Sequence, residues 1–379
     1  MTALRLTVAQ LLPALEVGGV ERGTVEVAGA LTARGHRAIV VSAGGRMVAE
    51  LRACGAEHIE LPIGRKSLLT LRHVPGLRRL FADSGVDIVH ARSRLPAWIG
   101  YLAWRGMAAA TRPRFVTTVH GPYSVNRYSA IMTRGERVIA ISNWIRDYIV
   151  TNYPAVDQSK VVVIPRGVDP AQYPHGYQPS PGWVECWRRE HPRLAGKFVV
   201  TLPARITRWK GQEDFIAVVA RLKAAGEPVH GLIAGGAEPR RERFLGELRQ
   251  RVAGEGLAGD ISFLGQRSDL REVMAVSDAV VSLAREPEAF GRTTVEALAL
   301  GVPVVGYAHG GTAEILRTVF PQGLVPFGDT AAAAARLAEF RRQRPPVPEH
   351  QPFTLSRMLD ATLQTYESLL ALRQPARSD

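Results

Sequence analysis

Apolar positions along this chain fall into two alternating rhythms. Leu6-Thr7-Val8-Ala9-Gln10-Leu11-Leu12, Arg37-Ala38-Ile39-Val40-Val41-Ser42, Ile59-Glu60-Leu61, Val86-Asp87-Ile88-Val89-His90, Phe115-Val116-Thr117-Thr118-Val119 and Val138-Ile139-Ala140-Ile141-Ser142 are short, β-branched runs that read as buried strands. The stretches between them have helical spacing: one from the glycines at 18 and 19 to about Arg34, then about Leu77 to Ser84, Ala97 to Gly106, and Asn143 to Val150, where Ser142 can cap the start. Val161 to Asp169 reads as the last strand of this series. Strands that alternate with helices predict a parallel, doubly wound α/β sheet.

From about Pro170 to Pro192 the chain is rich in Pro, Tyr, Gly and Trp and has no clear period, which predicts a linker. A second series follows. Phe198 to Pro203, Val229 to Ala234, Ile261 to Gly265, Asp278 to Leu283 and Val302 to Tyr307 read as strands, with helices expected near Gln212–Ala225, Arg240–Glu255, Asp269–Ser277 and from Arg292 to Leu300. The expected organisation is therefore two Rossmann-like domains, 1–172 and 173–352, facing across a cleft. A last amphipathic helix within 353–379 follows a Pro-rich stretch and is free to pack back across the linker.

The candidate chemistry sits in the loops at the carboxyl ends of these strands, where open α/β sheets bind ligands. After the strand ending near Leu283, Pro287 breaks the chain, and Phe290-Gly291-Arg292-Thr293 is expected to form the first turn of a helix. Backbone N–H groups and the positive dipole end there attract a phosphate. Glu288 before that turn and Glu296 after it are poor phosphate ligands but good acceptors for sugar hydroxyls. Arg205 and Lys210 lie in the loop after the first strand of the second domain, where a guanidinium fork and an ammonium suit a diphosphate. Gly235-Gly236 follows the next strand, and the loop at Gly265-Gln266-Arg267 is a place where a base could be read. In the first domain, Gly18-Gly19 after the first strand lets a backbone approach a ligand or simply makes a tight turn. His120 closes a strand and points into the crevice.

Composition narrows the classes. At 379 residues, with 46% hydrophobic and 22% charged positions, the chain has the makeup of a globular protein larger than one core usually serves. Cys54 and Cys186 stand far apart without metal spacing, which argues against a zinc site and fits a reducing compartment. No apolar run reaches membrane-spanning length and no signal peptide is legible, so the expected location is the cytoplasm. The net charge of +13 calls for a polyanionic partner. No nucleic-acid-binding signature accompanies it, and nucleic acid is not expected. One concentration of that charge is 65–79, where arginines and a lysine interleave with leucines. It reads either as an amphipathic helix of the first domain interrupted by Pro75, or as a segment that rests on the inner, anionic face of a membrane.

Taken together, Gly18-Gly19-Val20-Glu21-Arg22, His120, Arg205 with Lys210-Gly211, Gly235-Gly236, and Glu288 with Glu296 ahead of Gly301-Val302-Pro303-Val304-Val305 resemble the family-4 retaining glycosyltransferases of GT-B fold. The likeness runs over nearly the whole chain, and its texture is that of bacterial members that build lipopolysaccharide cores or other surface glycans. The resemblance implies an acceptor-binding first domain and a second domain that binds a UDP- or GDP-linked sugar as co-substrate, with no other cofactor. Glu288 would then hold the donor sugar's hydroxyls, the N–H groups from Phe290 through Gly291 and Arg292 to Thr293 the diphosphate, and Glu296 the ribose. Arg205 and Lys210 would offset the leaving charge, Gly19 would admit acceptor and diphosphate, and His120 would touch the sugar near the reacting carbon. The resemblance implies metal-independent chemistry, and no Asp-x-Asp motif stands in a suitable place. Glu286 departs from the usual pattern as an extra carboxylate. The acceptor would be a glycan or a lipid-linked glycan. A sugar-nucleotide epimerase of the same architecture is the alternative within enzymes, for which only His120 offers a base. A basic anion-binding or nucleic-acid-binding protein is the alternative outside them.

Overall fold

The computed structural model describes residues 5–16 and 18–371. The chain divides into two compact units, residues 1–165 with 356–379, and residues 166–355.

In the first unit, β1 (Thr7–Leu11), β2 (Arg37–Ser42), β3 (Glu57–Glu60), β4 (Ile88–Ala91), β5 (Arg114–Val119), β6 (Arg137–Ala140) and β7 (Val161–Val163) form one sheet in the order β3-β2-β1-β4-β5-β6-β7. All neighbours are parallel, with Val8 opposite both Ala38 and Ile88. The connections carry α1 (Gly19–Ala33), α2 (Val48–Ala53), α3 (His73–Asp83), α4 (Arg94–Arg105) and α5 (Asn143–Asn152). Ser142 caps α5 through the Ile145 N–H at 3.1 Å, as its type and place suggest. The sheet interior also holds polar groups that need partners. Arg92, buried just past β4, donates to Gln10 Oε1 at 2.6 Å, and Gln10 donates in turn to the Thr24 carbonyl at 3.0 Å. Burial pushes the Arg92 guanidinium below its ordinary pKa. Residues 356–371 of the final helix belong to this unit, where the buried Tyr366 hydroxyl meets His90 Nδ1 at 2.6 Å and Thr118 Oγ1 meets His90 Nε2 at 2.6 Å.

The second unit repeats the plan. Here α6 (Pro181–Glu190) precedes β8 (Phe198–Pro203), α7 (Gln212–Ala224), β9 (Val229–Ala234), α8 (Glu242–Gly254), β10 (Ile261–Gly265), α9 (Leu270–Ala275), β11 (Ala279–Ser282), α10 (Arg292–Ala299), β12 (Val304–Tyr307), α11 (Gly310–Val319), β13 (Leu324–Val325) and α12 (Thr330–Arg342), after which the chain returns to the first unit in α13 (Leu355–Ala371). The strand order β10-β9-β8-β11-β12-β13 again reverses direction beside the first strand. Ligand crevices form at such a reversal, and in this unit it lies between β8 and β11. No helix of the described residues is long and apolar enough to cross a membrane.

The stretch expected to be the linker, about 170–192, contains a ten-residue helix, α6. Ser180 caps it through the Trp183 N–H and Pro181 occupies its first turn, two start signals that the Pro-rich composition masked. Trp187, 6% exposed, packs with Val199, Leu232 and Val273 and stacks on Trp183 at 5.1 Å, so α6 is part of the second unit's core. Trp187→Ala is expected to lower the stability of this unit by about 3 kcal/mol in chemical denaturation, as for other buried aromatics truncated to alanine. A tether would tolerate the change within about 0.5 kcal/mol.

Candidate active site

The carboxyl ends of β8 and β11 carry the loops Ala204–Gly211 and Leu283–Gly291, and three contacts join them. The Arg285 N–H donates to the Trp209 carbonyl at 2.7 Å. Gly211, with φ +78°, sits so close to the Leu283 carbonyl that any Cβ there would collide with it. The third is an ion pair: Lys210 Nζ is 2.7 Å from Glu288 Oε1, and their side chains are only 19% and 15% exposed. Two residues singled out for separate roles on a donor are therefore neighbours. An ion pair so largely removed from water is screened weakly, and each charge fixes the other's place.

The Glu288 loop is pinned from its other side by the turn between β12 and α11. The Gly311 N–H donates to the Glu288 carbonyl at 2.7 Å, and His309 Nε2 lies 2.6 Å from the Ala284 carbonyl. Gly310 has φ +61°, and a Cβ there would stand 2.8 Å from both the backbone nitrogen and the carbonyl oxygen of Glu288. This His309-Gly310-Gly311-Thr312 turn is a part of the site that no sequence motif marks. Its one sequence signal is weak: a paired glycine at a helix start, separated by two residues from the buried run Val304-Val305-Gly306-Tyr307.

Gly291 is the cap residue of α10, so the helix begins at Arg292, two residues later than Phe290. Phe290 is buried against Phe353 at 5.6 Å and serves packing. Arg292 and Thr293 occupy the first turn, where a helix presents N–H groups and a positive dipole end. Further along the same helix, the buried Glu296 accepts from Arg292 Nε at 2.9 Å. Tyr173 lies beside it, and its hydroxyl is pushed up to about 12, first by burial and then by the Glu296 carboxylate.

The remaining candidates are placed as follows. Arg205 does not join Lys210: its side chain is 66% exposed and its nearest carboxylate is Glu238 at 3.6 Å. Its loop is nonetheless fixed, because Gln212 Nε2 donates to the Arg205 carbonyl at 2.9 Å and the Ile206 N–H to the Gly236 carbonyl at 3.0 Å. Gly235 leaves room for the Ala204 carbonyl. Arg267 is gripped by both oxygens of Asp269 at 2.7 and 2.5 Å, and that hydrogen bonding raises its pKa. It also lies 5.6 Å over the Trp187 ring, so it braces α6. In the first unit, Gly18 is extended and precedes α1, whose first residue, Gly19, has open space where a Cβ would project. His120 is half-buried just past β5, and its N–H reaches Tyr123 Oη at 3.4 Å.

Residues 17–172 match the family described as Glycosyltransferase Family 4, and residues 184–351 match Glycosyl transferases group 1. The structure of a glycosyltransferase from Rickettsia africae superposes with a TM-score of 0.81 at 28% identity, covering 97% of this chain and 99% of that one. This chain belongs to the family-4 glycosyltransferases and has the GT-B fold. Anabaena HepE, solved in complex with UDP and glucose, shares that fold at 22% identity with a TM-score of 0.79, over 96% of this chain and 100% of its own. Among curated relatives, the 2-deoxystreptamine N-acetyl-D-glucosaminyltransferase of Streptomyces fradiae is 30% identical over 244 residues, 62% of this chain and 54% of that protein. The chain spans about half the length of the first curated relatives it matches. In this family-4 chain the first matched segment contains Gly18, Gly19 and His120, and the second contains all the other candidates.

The pinning of Glu288 by the β12–α11 turn has a measurable consequence. Gly226 has φ +77° with open space around it, whereas Gly310 has a similar φ and the Glu288 backbone against it. Alanine at Gly226 is expected to cost about 1 kcal/mol for the left-handed backbone alone. Alanine at Gly310 is expected to cost at least about 1 kcal/mol more in urea denaturation, because the contact adds to the strain. Equal costs would show that the turn does not hold the Glu288 loop.

Proposed function

We propose that this protein is a retaining, metal-independent glycosyltransferase that moves a sugar from a UDP- or GDP-linked donor to a hydroxyl of a glycan or glycolipid, in lipopolysaccharide core or other surface-glycan synthesis. The observation that carries this reading is the Lys210–Glu288 pair at the sheet reversal, next to the start of α10. A cation and a helix N-terminus suit a diphosphate, and a carboxylate beside them suits the hydroxyls of the attached sugar. Glu296 accepts from the ribose hydroxyls, and Arg205 adds its guanidinium to the phosphate side. Gly19 keeps the first unit's loop open to acceptor and diphosphate, and His120 contacts the sugar.

In the reaction, the acceptor oxygen forms its new bond to the anomeric carbon on the face from which the diphosphate departs. The C–O bond to the diphosphate breaks with its electron pair going to the diphosphate, and the acceptor's proton passes to that same leaving group. Configuration is retained and no protein nucleophile is consumed. The charge that grows on the diphosphate is met by Lys210, Arg205 and the α10 start, which is the work of electrostatic preorganisation.

A panel of nucleotide sugars, read by release of nucleoside diphosphate and by the sugar product, tests the reading. Transfer or slow hydrolysis that persists in EDTA supports it. An altered sugar on an intact nucleotide would point to an epimerase, and no reaction across the panel would remove the enzyme reading. Glu288→Gln and Lys210→Ala are each expected to lower kcat at least about a hundredfold, since each removes a transition-state contact worth roughly 3 kcal/mol. Gly19→Ala is expected to keep the fold and lose turnover.

A further inference from the structure

The segment between Glu60 and Asp83 carries Arg65, Lys66, Arg72, Arg78 and Arg79 and no acidic residue. At its centre Leu68–Arg72 forms a single 3-10 turn, started by Ser67, whose hydroxyl accepts from the Leu69 N–H at 3.2 Å. Thr70 is the turn's anchor: it is buried, and its hydroxyl donates to the Arg65 carbonyl at 2.6 Å. Ile63 before the turn and Leu77 and Phe81 on α3 are likewise buried. The turn is thus held firmly, and it holds its other side chains outward. Leu68 is 86% exposed, Leu69 70% and Leu71 48%. Six large apolar side chains are exposed among the described residues, and three of them are on this turn, a clustering that marks an interaction site.

We infer that this turn inserts its three leucines into an anionic lipid surface while the flanking cations sit among the headgroups. Charge chooses the occupant. An uninterrupted set of cations around a leucine tip complements a negative leaflet, and leucines of this kind are under-represented among the residues that anchor protein–protein contacts. The chain's surplus of +13 agrees with a polyanionic surface as partner. The inference does not depend on which donor the enzyme uses, because it rests on residues outside the donor loops.

The test uses the full chain and sedimentation with vesicles of phosphatidylcholine alone or with an equal part of phosphatidylglycerol. Binding is expected to the anionic vesicles at low salt and not to the neutral ones. Leu68→Ser/Leu69→Ser/Leu71→Ser is expected to lower partitioning at least about tenfold with an unchanged melting temperature, because these side chains are solvent-facing. Arg65→Gln/Lys66→Gln is expected to lower it roughly twenty-five-fold, at about fivefold per cation. Absence of wild-type binding to anionic vesicles overturns the inference. So does undiminished binding by the triple leucine variant, which would leave a merely electrostatic attachment. Self-association in solution that the leucine substitutions abolish, without any vesicle binding, would assign the face to a second copy of the chain instead.

Discussion

The candidate site depends on one physical constraint, the close approach of three backbone segments at the reversal of the second sheet. Carbonyl and N–H groups from the loops after β8 and β11 and from the turn before α11 come within hydrogen-bond reach of one another, with Gly211 and Gly310 at the contacts. Side chains there would push the loops apart. Because the loops touch, Lys210 and Glu288 meet at 2.7 Å with little access to water. A cation and an anion kept in place before any ligand arrives need little reorganisation when charge develops, which is the condition under which electrostatic stabilisation is strongest.

Much of this was legible in the residues. Alternating strands and helices predict both parallel sheets, and Lys210, Glu288 and Gly235-Gly236 stand in the loops after strands where the pattern puts them. Three things were not legible, each for a physical reason. The α6 helix hid in a Pro- and Trp-rich stretch because its stability comes from tertiary burial of Trp187, not from a periodic pattern. The β12–α11 turn was missed because glycines that serve backbone approach look the same in sequence as glycines in any turn. Arg205 and Lys210 were read as a pair from their shared loop, but a long side chain chooses its partner in space: Arg205 lies toward Glu238 and Lys210 toward Glu288.

The charge of the chain separates into two kinds of use. In the loops after β8 and β11 and at the start of α10, several cations are matched by carboxylates: Lys210 with Glu288, Arg292 with Glu296, and Arg285 with the buried Asp214, which also accepts from Tyr307 Oη at 2.9 Å. These pairs shape the site, while Arg205, Arg240 and Arg241 share the single carboxylate of Glu238 at its edge. Around the Leu68–Arg72 turn the cations have no acid near them in sequence and surround exposed leucines. Matched charges build a site for a small ligand, whereas unmatched charges on an apolar tip suit an extended surface.

On the proposed function, the α10 start, with Glu288 before it and Glu296 within it, holds a nucleoside diphosphate sugar. A crystal structure of the full chain with UDP, and a second with GDP, tests it most directly. The diphosphate of one of them is expected on the first turn of α10 near Lys210, with the ribose hydroxyls on Glu296. A nucleotide bound with its phosphates away from α10, or with its ribose away from Glu296, would contradict it.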